Sequence, residues 1–224
     1  MTDNKIKILS LESSGSTCGV ALSENEKVLA SYSVFGNNMH DKLLAEFIKR
    51  ILSDLNLKVS DIDAVAVSAG PGSFTGLRIG VSIAKALCHD GTPRLIAVPT
   101  LTALANYAVN NFANEKDETI TAVLPSHKNF IYYQHFDSKG KETSEIFFEE
   151  SEKLLSELKD GQILVSGTEL KTENIKQKCF FLIPTPELMT GLAYRYYKES
   201  KFEDAEKFLP LYVQDFVPKS NGKN

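Results

Sequence analysis

The sequence predicts a mixed α/β protein of two lobes, and three observations carry that prediction. Each half opens with strand-like segments in hairpin order and continues with alternating helix-like and strand-like segments. Residues 64–68 form an uninterrupted run of small apolar side chains, the pattern of a strand covered on both faces. A charged, polar stretch at 114–119 separates the two rounds. The expected boundary lies between about Leu101 and that stretch, with an N-terminal lobe over 1–105 and a smaller C-terminal lobe over 106–224.

Residues 6–11 are short and apolar, as a buried strand would be. The small polar residues of 12–16 read as a tight turn. Two further strands follow at 17–22 and 27–35, so the chain opens with a β-meander, broken by Gly36, Asn37 and Asn38. Residues 40–56 predict an amphipathic helix: Leu43, Leu44, Phe47, Ile48, Ile51, Leu52 and Leu55 make one broad stripe. After the strand at 64–68 come a glycine-rich loop and a second helix reaching about Asp90. A strand at 95–98 precedes a helix that Thr100 is expected to cap, running to about Asn111. The second round reads as strands at 120–124, 130–136 and 144–148, a helix at 152–158, strands at 163–166 and 180–183, and a helix at 187–197. The tail beyond Pro218 is expected to fray.

Composition narrows the function. Of 224 residues, 42% are hydrophobic and 24% charged, with a net charge of −4. These are the proportions of an ordinary globular protein with a packed core, which excludes extensive disorder. A protein that wraps nucleic acid by itself is usually basic, so any nucleic-acid contact must be local or shared with a partner. The three cysteines, Cys18, Cys88 and Cys179, are far apart and form no CxxC pair, which argues against a zinc knuckle or a disulfide framework. The start carries no apolar leader, and no apolar run approaches the roughly 20 residues of a membrane span. The expectation is a reduced, cytoplasmic, soluble protein that engages no membrane.

The densest local feature is Gly70-Pro71-Gly72-Ser73-Phe74-Thr75-Gly76, between a strand and a helix. Three glycines and a proline prescribe an unusual backbone path that ends at a helix N-terminus, where free N–H groups favour an anion. Ser73 is placed to cap that helix. The loop is either an anion cradle or a rigid connection, and neither the P-loop nor the GxGxxG spacing can be threaded through it. Along the following helix Gly76, Gly80, Ala84 and Cys88 line up as a ridge of small residues. Ile79, Ile83 and Leu87 flank one side of the ridge, and Leu77 and Val81 the other. Arg78, Ser82, Lys85 and His89 form a narrow polar stripe. An internal glycine costs about 1 kcal/mol relative to alanine, so Gly80 implies close backbone approach. The partner in that approach is either the chain's own sheet or another subunit.

Glu12, Ser13 and Ser14 stand at the first turn, as either a phosphate-holding hairpin or a plain one. The four histidines are never closer than eight residues apart, which leaves no helical metal pair. No GxSxG elbow or Cys–His constellation is readable. The late aromatics, Tyr194, Tyr196 and Tyr197 around Arg195, suit either base stacking or core and rim packing.

These residues resemble the bacterial TsaB (YeaZ) family. The resemblance rests on Leu11-Glu12-Ser13-Ser14, on His40-x-x-Leu43-Leu44 and above all on residues 68–80. It continues through Ala84-Lys85-Ala86-Leu87 and Val98-Pro99-Thr100-Leu101, and returns at Phe208-Leu209-Pro210-Leu211-Tyr212. It is dense over about 6–105 and faint beyond. It implies a two-lobed actin-like ATPase fold (ASKHA, ribonuclease H-like) with mixed sheets flanked by helices. It also implies a non-catalytic subunit that activates a TsaD-like catalytic partner, with a TsaE-like ATPase, in threonylcarbamoylation of the tRNA adenosine beside the anticodon. On this resemblance the chain binds no cofactor alone, ATP and metal belong to the partner, tRNA is met only through the complex, and family members dimerise with themselves or with TsaD. Docking is implied for Leu44, Phe47, Ile48 and Ile51 of the first helix and for Arg78, Ser82 and Lys85 of the second. Gly70, Pro71, Gly72, Ser73, Thr75, Gly76 and Gly80 set the second helix's angle, so a bulky residue at 80 is expected to weaken assembly. Glu12-Ser13-Ser14 is implied to be a vestigial phosphate turn. The sequence departs from the family there, where Asp-Thr-Ser is usual, and at 125–132, where an acidic and an arginine position are missing. The other readings are a small ATP-dependent kinase or ATPase of the same fold, and a peptidase, which the missing metal and nucleophile sets disfavour.

Overall fold

The first reversals are short and polar, so the opening strands fold back on one another as a meander. β1 (Lys7–Glu12), β2 (Thr17–Glu24) and β3 (Lys27–Phe35) pair antiparallel, with Lys7 opposite Glu24 and Glu12 opposite Gly19. The computed structural model describes residues 5–36, 40–112, 119–158, 162–167 and 177–213, the side chains of 40 and 41 excepted. β1 also pairs parallel with β4 (Ala64–Gly70), and β4 with β5 (Arg94–Pro99), giving the order β3-β2-β1-β4-β5. The second sheet contains β6 (Thr119–Pro125), β7 (Phe130–Asp137), β8 (Phe147–Glu150), β9 (Gln162–Ser166) and β10 (Lys178–Phe181). Its order is β10-β9-β6-β7-β8, with the antiparallel and parallel pairings in the same places. The weak symmetry of the sequence is therefore a repeated topology.

Alternation along the strands builds a core on each face of the first sheet. Leu9, Leu11, Val65 and Val67 meet Leu44, Ile48 and Ile51 of α1 (His40–Asp54) and Val81 and Ala84 of α2 (Phe74–Leu87). On the opposite face Ile8, Ala64, Ala66 and Ile96 meet Ala103 of α3 (Thr100–Asn111) and Leu192 and Ala193 of α5 (Thr190–Lys198). α3 bridges the lobes, since its Leu101, Leu104, Ala105 and Ala108 pack on Ile120, Leu124 and Phe136 of the second sheet. α4 (Ser151–Glu157) lays Leu154 on Val123, Ile131 and Leu164. Among the described residues no helix is long and apolar enough to cross a membrane.

Four expectations change. α1 stops at Asp54 because Asn56 turns left-handed (φ 51°) and Leu57 N–H closes back on the Leu52 carbonyl at 2.8 Å, a glycine-free version of a familiar helix stop. Thr100 does not cap α3. Pro99 holds the cap position, and the Thr100 hydroxyl is buried without a hydrogen-bond partner. The strand expected at 144–148 lies at Phe147–Glu150, because Ser144 Oγ takes the His135 N–H at 3.0 Å in place of a ladder bond. The helix expected at 187–197 is a short 3-10 turn, Pro186–Met189, followed by α5. The tail beyond Pro218 lies outside the described residues.

Candidate functional site: the glycine loop and the outer helices

β4 ends at Gly70, and Ser73 caps α2 as its position predicts, with Gly76 N–H donating to Ser73 Oγ at 3.2 Å. The loop is pressed onto the β1–β2 turn. Ser73 N–H donates to the Ser14 carbonyl at 2.6 Å. A methyl group at Gly72 would overlap the Ser14 carbonyl oxygen, one at Gly76 the Ser13 carbonyl oxygen, and one at Gly80 Ser13 Oγ. The ridge of small residues thus admits the chain's own hairpin. Of the two partners left open for Gly80, the chain's own fold is the one in contact. The expectation for a bulky residue at 80 changes accordingly, since it would break this packing before it reached any interface.

Glu12 and Ser13 are fully buried and Ser14 nearly so. Ser14 donates both its N–H and its hydroxyl to one Glu12 carboxylate oxygen, each at 2.6 Å. Burial raises the Glu12 pKa above its ordinary 4.5, and the Ser14 bonds oppose that shift without cancelling it. The folded chain therefore keeps the Glu12 proton to higher pH than the unfolded chain. Stability from this group is full below the ordinary value and is lost as pH rises through the folded pKa. Glu12→Gln, which retains the acceptor oxygen, is expected to flatten the fall in stability as pH rises above about 4.5. Urea midpoints at several pH values test this, and an unchanged fall would remove Glu12 as its source. With Ser13 and Ser14 buried and the Ser14 carbonyl occupied by the loop, a phosphate does not fit between turn and loop as they stand.

The implied docking residues separate. Leu44 and Ile51 are fully buried and Ile48 is 6% exposed, so all three are core residues and present no surface to a partner. Phe47 is half-buried beside Tyr32 of β3, ring centroids 6.2 Å apart. Arg78 and Ser82 are exposed on α2, while Ile79, Ile83 and Leu87 are half-buried on its flank. Thr75 is exposed at the start of α2, and Pro71 is buried.

Sequence reasoning missed a C-terminal strap that binds this region. Leu211 N–H donates to the Ala69 carbonyl at 2.8 Å, and Glu203 N–H to the Leu95 carbonyl at 2.9 Å. The Leu211 carbonyl would lie 2.7 Å from a Cβ at Gly70, whose φ is +103°. Lys85 Nζ donates to the Glu206 and Phe208 carbonyls at 3.0 and 3.1 Å. The Arg78 guanidinium lies 3.8 Å from the Phe74 ring centroid, and its Nε donates to the Tyr212 hydroxyl oxygen at 3.2 Å. Lys85 and Arg78 thus already hold the chain's own strap. Its traces in the sequence are the polar stripe on an otherwise apolar helix and the return of the resemblance at residues 208–212, neither of which says that the two meet.

The remaining chemistry-bearing residues are dispersed. His127 stacks on Phe130 and Phe148 at the β6–β7 turn, and His135 Nδ1 lies 2.9 Å from Thr121 Oγ1. Among the described residues no three of His, Cys, Asp and Glu gather as a metal shell. Burial pushes the Cys18 thiol up to about 11 and Cys88 to about 12, so neither is an activated nucleophile.

Two mixed sheets of the same strand order, joined by α3 and flanked by helices, with a glycine loop seated on the first hairpin, define a two-lobed α/β protein built on a repeated unit. The family model for TsaD, tRNA N6-adenosine threonylcarbamoyltransferase, matches residues 36–199. The chain belongs to this family, and two relatives that align over 93% and 95% of it carry the TsaB name. The TsaB of Escherichia coli is 25% identical over 95% of this chain and 96% of its own length. That of Haemophilus influenzae is 32% identical over 57% of this chain, a match spanning 52% of that protein. YeaZ from Pseudomonas aeruginosa superposes with a TM-score of 0.76 at 23% identity, covering 93% of this chain and 100% of that one, a likeness that bears on the fold.

Proposed function

We propose that this chain is a non-catalytic scaffold subunit in tRNA threonylcarbamoyladenosine formation that binds a TsaD-like catalytic subunit through the outer face of α2. The observation that carries the reading is the way α2 is held. Its glycines bed it on the β1–β2 hairpin, and Lys85 ties its far side to the strap. On the same stripe Arg78 also holds the strap, through Tyr212, while Ser82 is exposed between them and Ile79 and Ile83 are half-buried on the flank. A helix fixed this rigidly presents its outer residues at a set angle, as helix-on-helix packing requires. The family match and the TsaB relatives support the pathway. On this reading ATP and metal are held by the partner, and tRNA is modified on the assembled complex.

The test is co-purification with the TsaD-like protein of the same cell, with mass read by light scattering and threonylcarbamoyl transfer assayed with and without this chain. A one-to-one complex active only when both chains are present is the expected result. No complex at low or moderate salt with nucleotide present would overturn the reading.

A further inference from the structure

The mildly acidic composition demands that any direct RNA contact be local, and one place on the surface meets that demand. The turn after β7 is built tightly. Asp137 Oδ1 accepts the backbone N–H groups of Lys139 and Lys141, both at 2.9 Å, and Asp137 N–H donates to the Lys141 carbonyl at 2.9 Å. Gly140, at φ +76°, fits against α3, where an added Cβ would lie 3.3 Å from Val109 and 3.4 Å from Asn106. The two lysines are exposed and stand on a turn that is already ordered. They share a concavity of about 450 Å³ with Arg195, Tyr196, Glu199 and Lys201 from α5 and the residues just after it.

The charges in this concavity are unbalanced. Four cations, Lys139, Lys141, Arg195 and Lys201, face two carboxylates: Glu142, which accepts from Thr102 Oγ1 at 2.8 Å and keeps its charge, and Glu199, which holds Lys201 at 2.6 Å. Asp137, outside the lining, accepts the turn's N–H groups, and its charge also acts on Lys139 and Lys141. Lys139, Lys141 and Arg195 make no ion pair among the described residues. Lys139 and Lys141 feel the Asp137 charge and Arg195 that of Glu199, yet cations outnumber carboxylates in the lining, and the surplus positive charge suits an anion with several charges. Flat faces lie alongside them. Tyr196 is half-buried in the lining, with Lys201 Nζ 4.8 Å from its ring centroid. Arg195 also borders a second groove containing Tyr107, Tyr194 and Lys198, where Glu26 and Glu187 balance the two cations. Cations interleaved with aromatic faces are the chemistry of RNA backbone and base contact.

We propose that the Asp137–Glu142 turn and α5 form a direct contact site for the phosphodiester backbone of RNA. This inference rests on the reading of the chain as part of a tRNA-modifying assembly, and goes beyond it by placing an RNA contact on this subunit.

The test measures binding of a tRNA transcript to the full chain, alone and with its TsaD-like partner, across a salt series. Lys139→Ala/Lys141→Ala/Arg195→Ala is compared with Lys153→Ala and Lys207→Ala, which remove exposed lysines elsewhere. The triple variant is expected to bind about tenfold more weakly and to lose roughly two units of the log K against log salt slope, while the comparison variants match the parent. Equal slopes in all variants, or no RNA binding by the parent chain at low salt, would overturn the inference. So would displacement of the RNA by equimolar pyrophosphate, which marks a small-anion pocket, or by polyglutamate at matched charge, which marks an acidic-protein surface. Co-purification of the triple variant separates the two readings. Retained partner with lost RNA contact supports the site, and lost partner assigns the patch to the subunit interface and overturns it. Failure of the parent chain to bind the partner would overturn the scaffold reading instead.

Discussion

Gly76→Ala is expected to be the most damaging small substitution in the chain, lowering stability by about 3 kcal/mol. The new methyl would overlap the Ser13 carbonyl oxygen, a backbone atom held by β1 and unable to swing aside. For a chain of this size that corresponds to a fall in Tm of roughly 6–12 °C. Gly80→Ala should cost less, because it meets Ser13 Oγ, the end of a side chain. Alanine is also the better helix former by about 1 kcal/mol. Ser13 Oγ is buried and makes no hydrogen bond, so Ser13→Ala alone should be neutral or slightly stabilising. The two glycines then separate in a double-mutant comparison by urea denaturation. Ser13→Ala should recover most of the Gly80→Ala loss and none of the Gly76→Ala loss. Equal recovery at both positions would show that the hairpin is not what the ridge of small residues accommodates.

Ser82→Trp is expected to abolish the complex with the TsaD-like partner while leaving the fold intact. Ser82 is exposed at the outermost line of α2, so the monomer should change stability by no more than about 0.5 kcal/mol. At the centre of a helix-on-helix interface an indole would hold the helices apart. The expected loss is at least about 100-fold in affinity, or about 2.7 kcal/mol. Ser156→Trp, exposed on α4 of the other lobe, is the control and should bind normally. Binding by titration calorimetry together with Tm gives the answer. Normal affinity for Ser82→Trp would remove α2 from the interface, and a matching fall in Tm would mean the loss came through the fold.

Local physics made much of this molecule legible beforehand. β3 runs from Lys27 to Phe35 and α3 ends at Asn111, as their patterns predict, because polar turns and apolar periodicity act within a few residues. The Ser73 cap was readable because it depends on a residue three positions away. The burial of Leu44, Ile48 and Ile51 was not. An apolar stripe specifies that a face is covered, and only the β2 and α1 packing shows that the chain's own sheet covers it. The strap was not legible either. Lys85 and Arg78 read as a free polar stripe, yet their partners at Glu206, Phe208 and Tyr212 lie more than a hundred residues away.

The sequence by itself determined the two-lobed plan and the glycine loop ahead of a capped helix, because each is written in contiguous residues whose spacing carries the information; the tRNA-modification family entered as a resemblance, which the family match then showed. Tertiary structure decided what the glycines are for, which implied docking residues are core, and where four cations meet two carboxylates in one hollow. Those depend on β1, α3, α5 and the strap arriving at the same places. Such convergence is driven by burying apolar area and satisfying buried polar groups across the whole chain, a requirement that no single segment records.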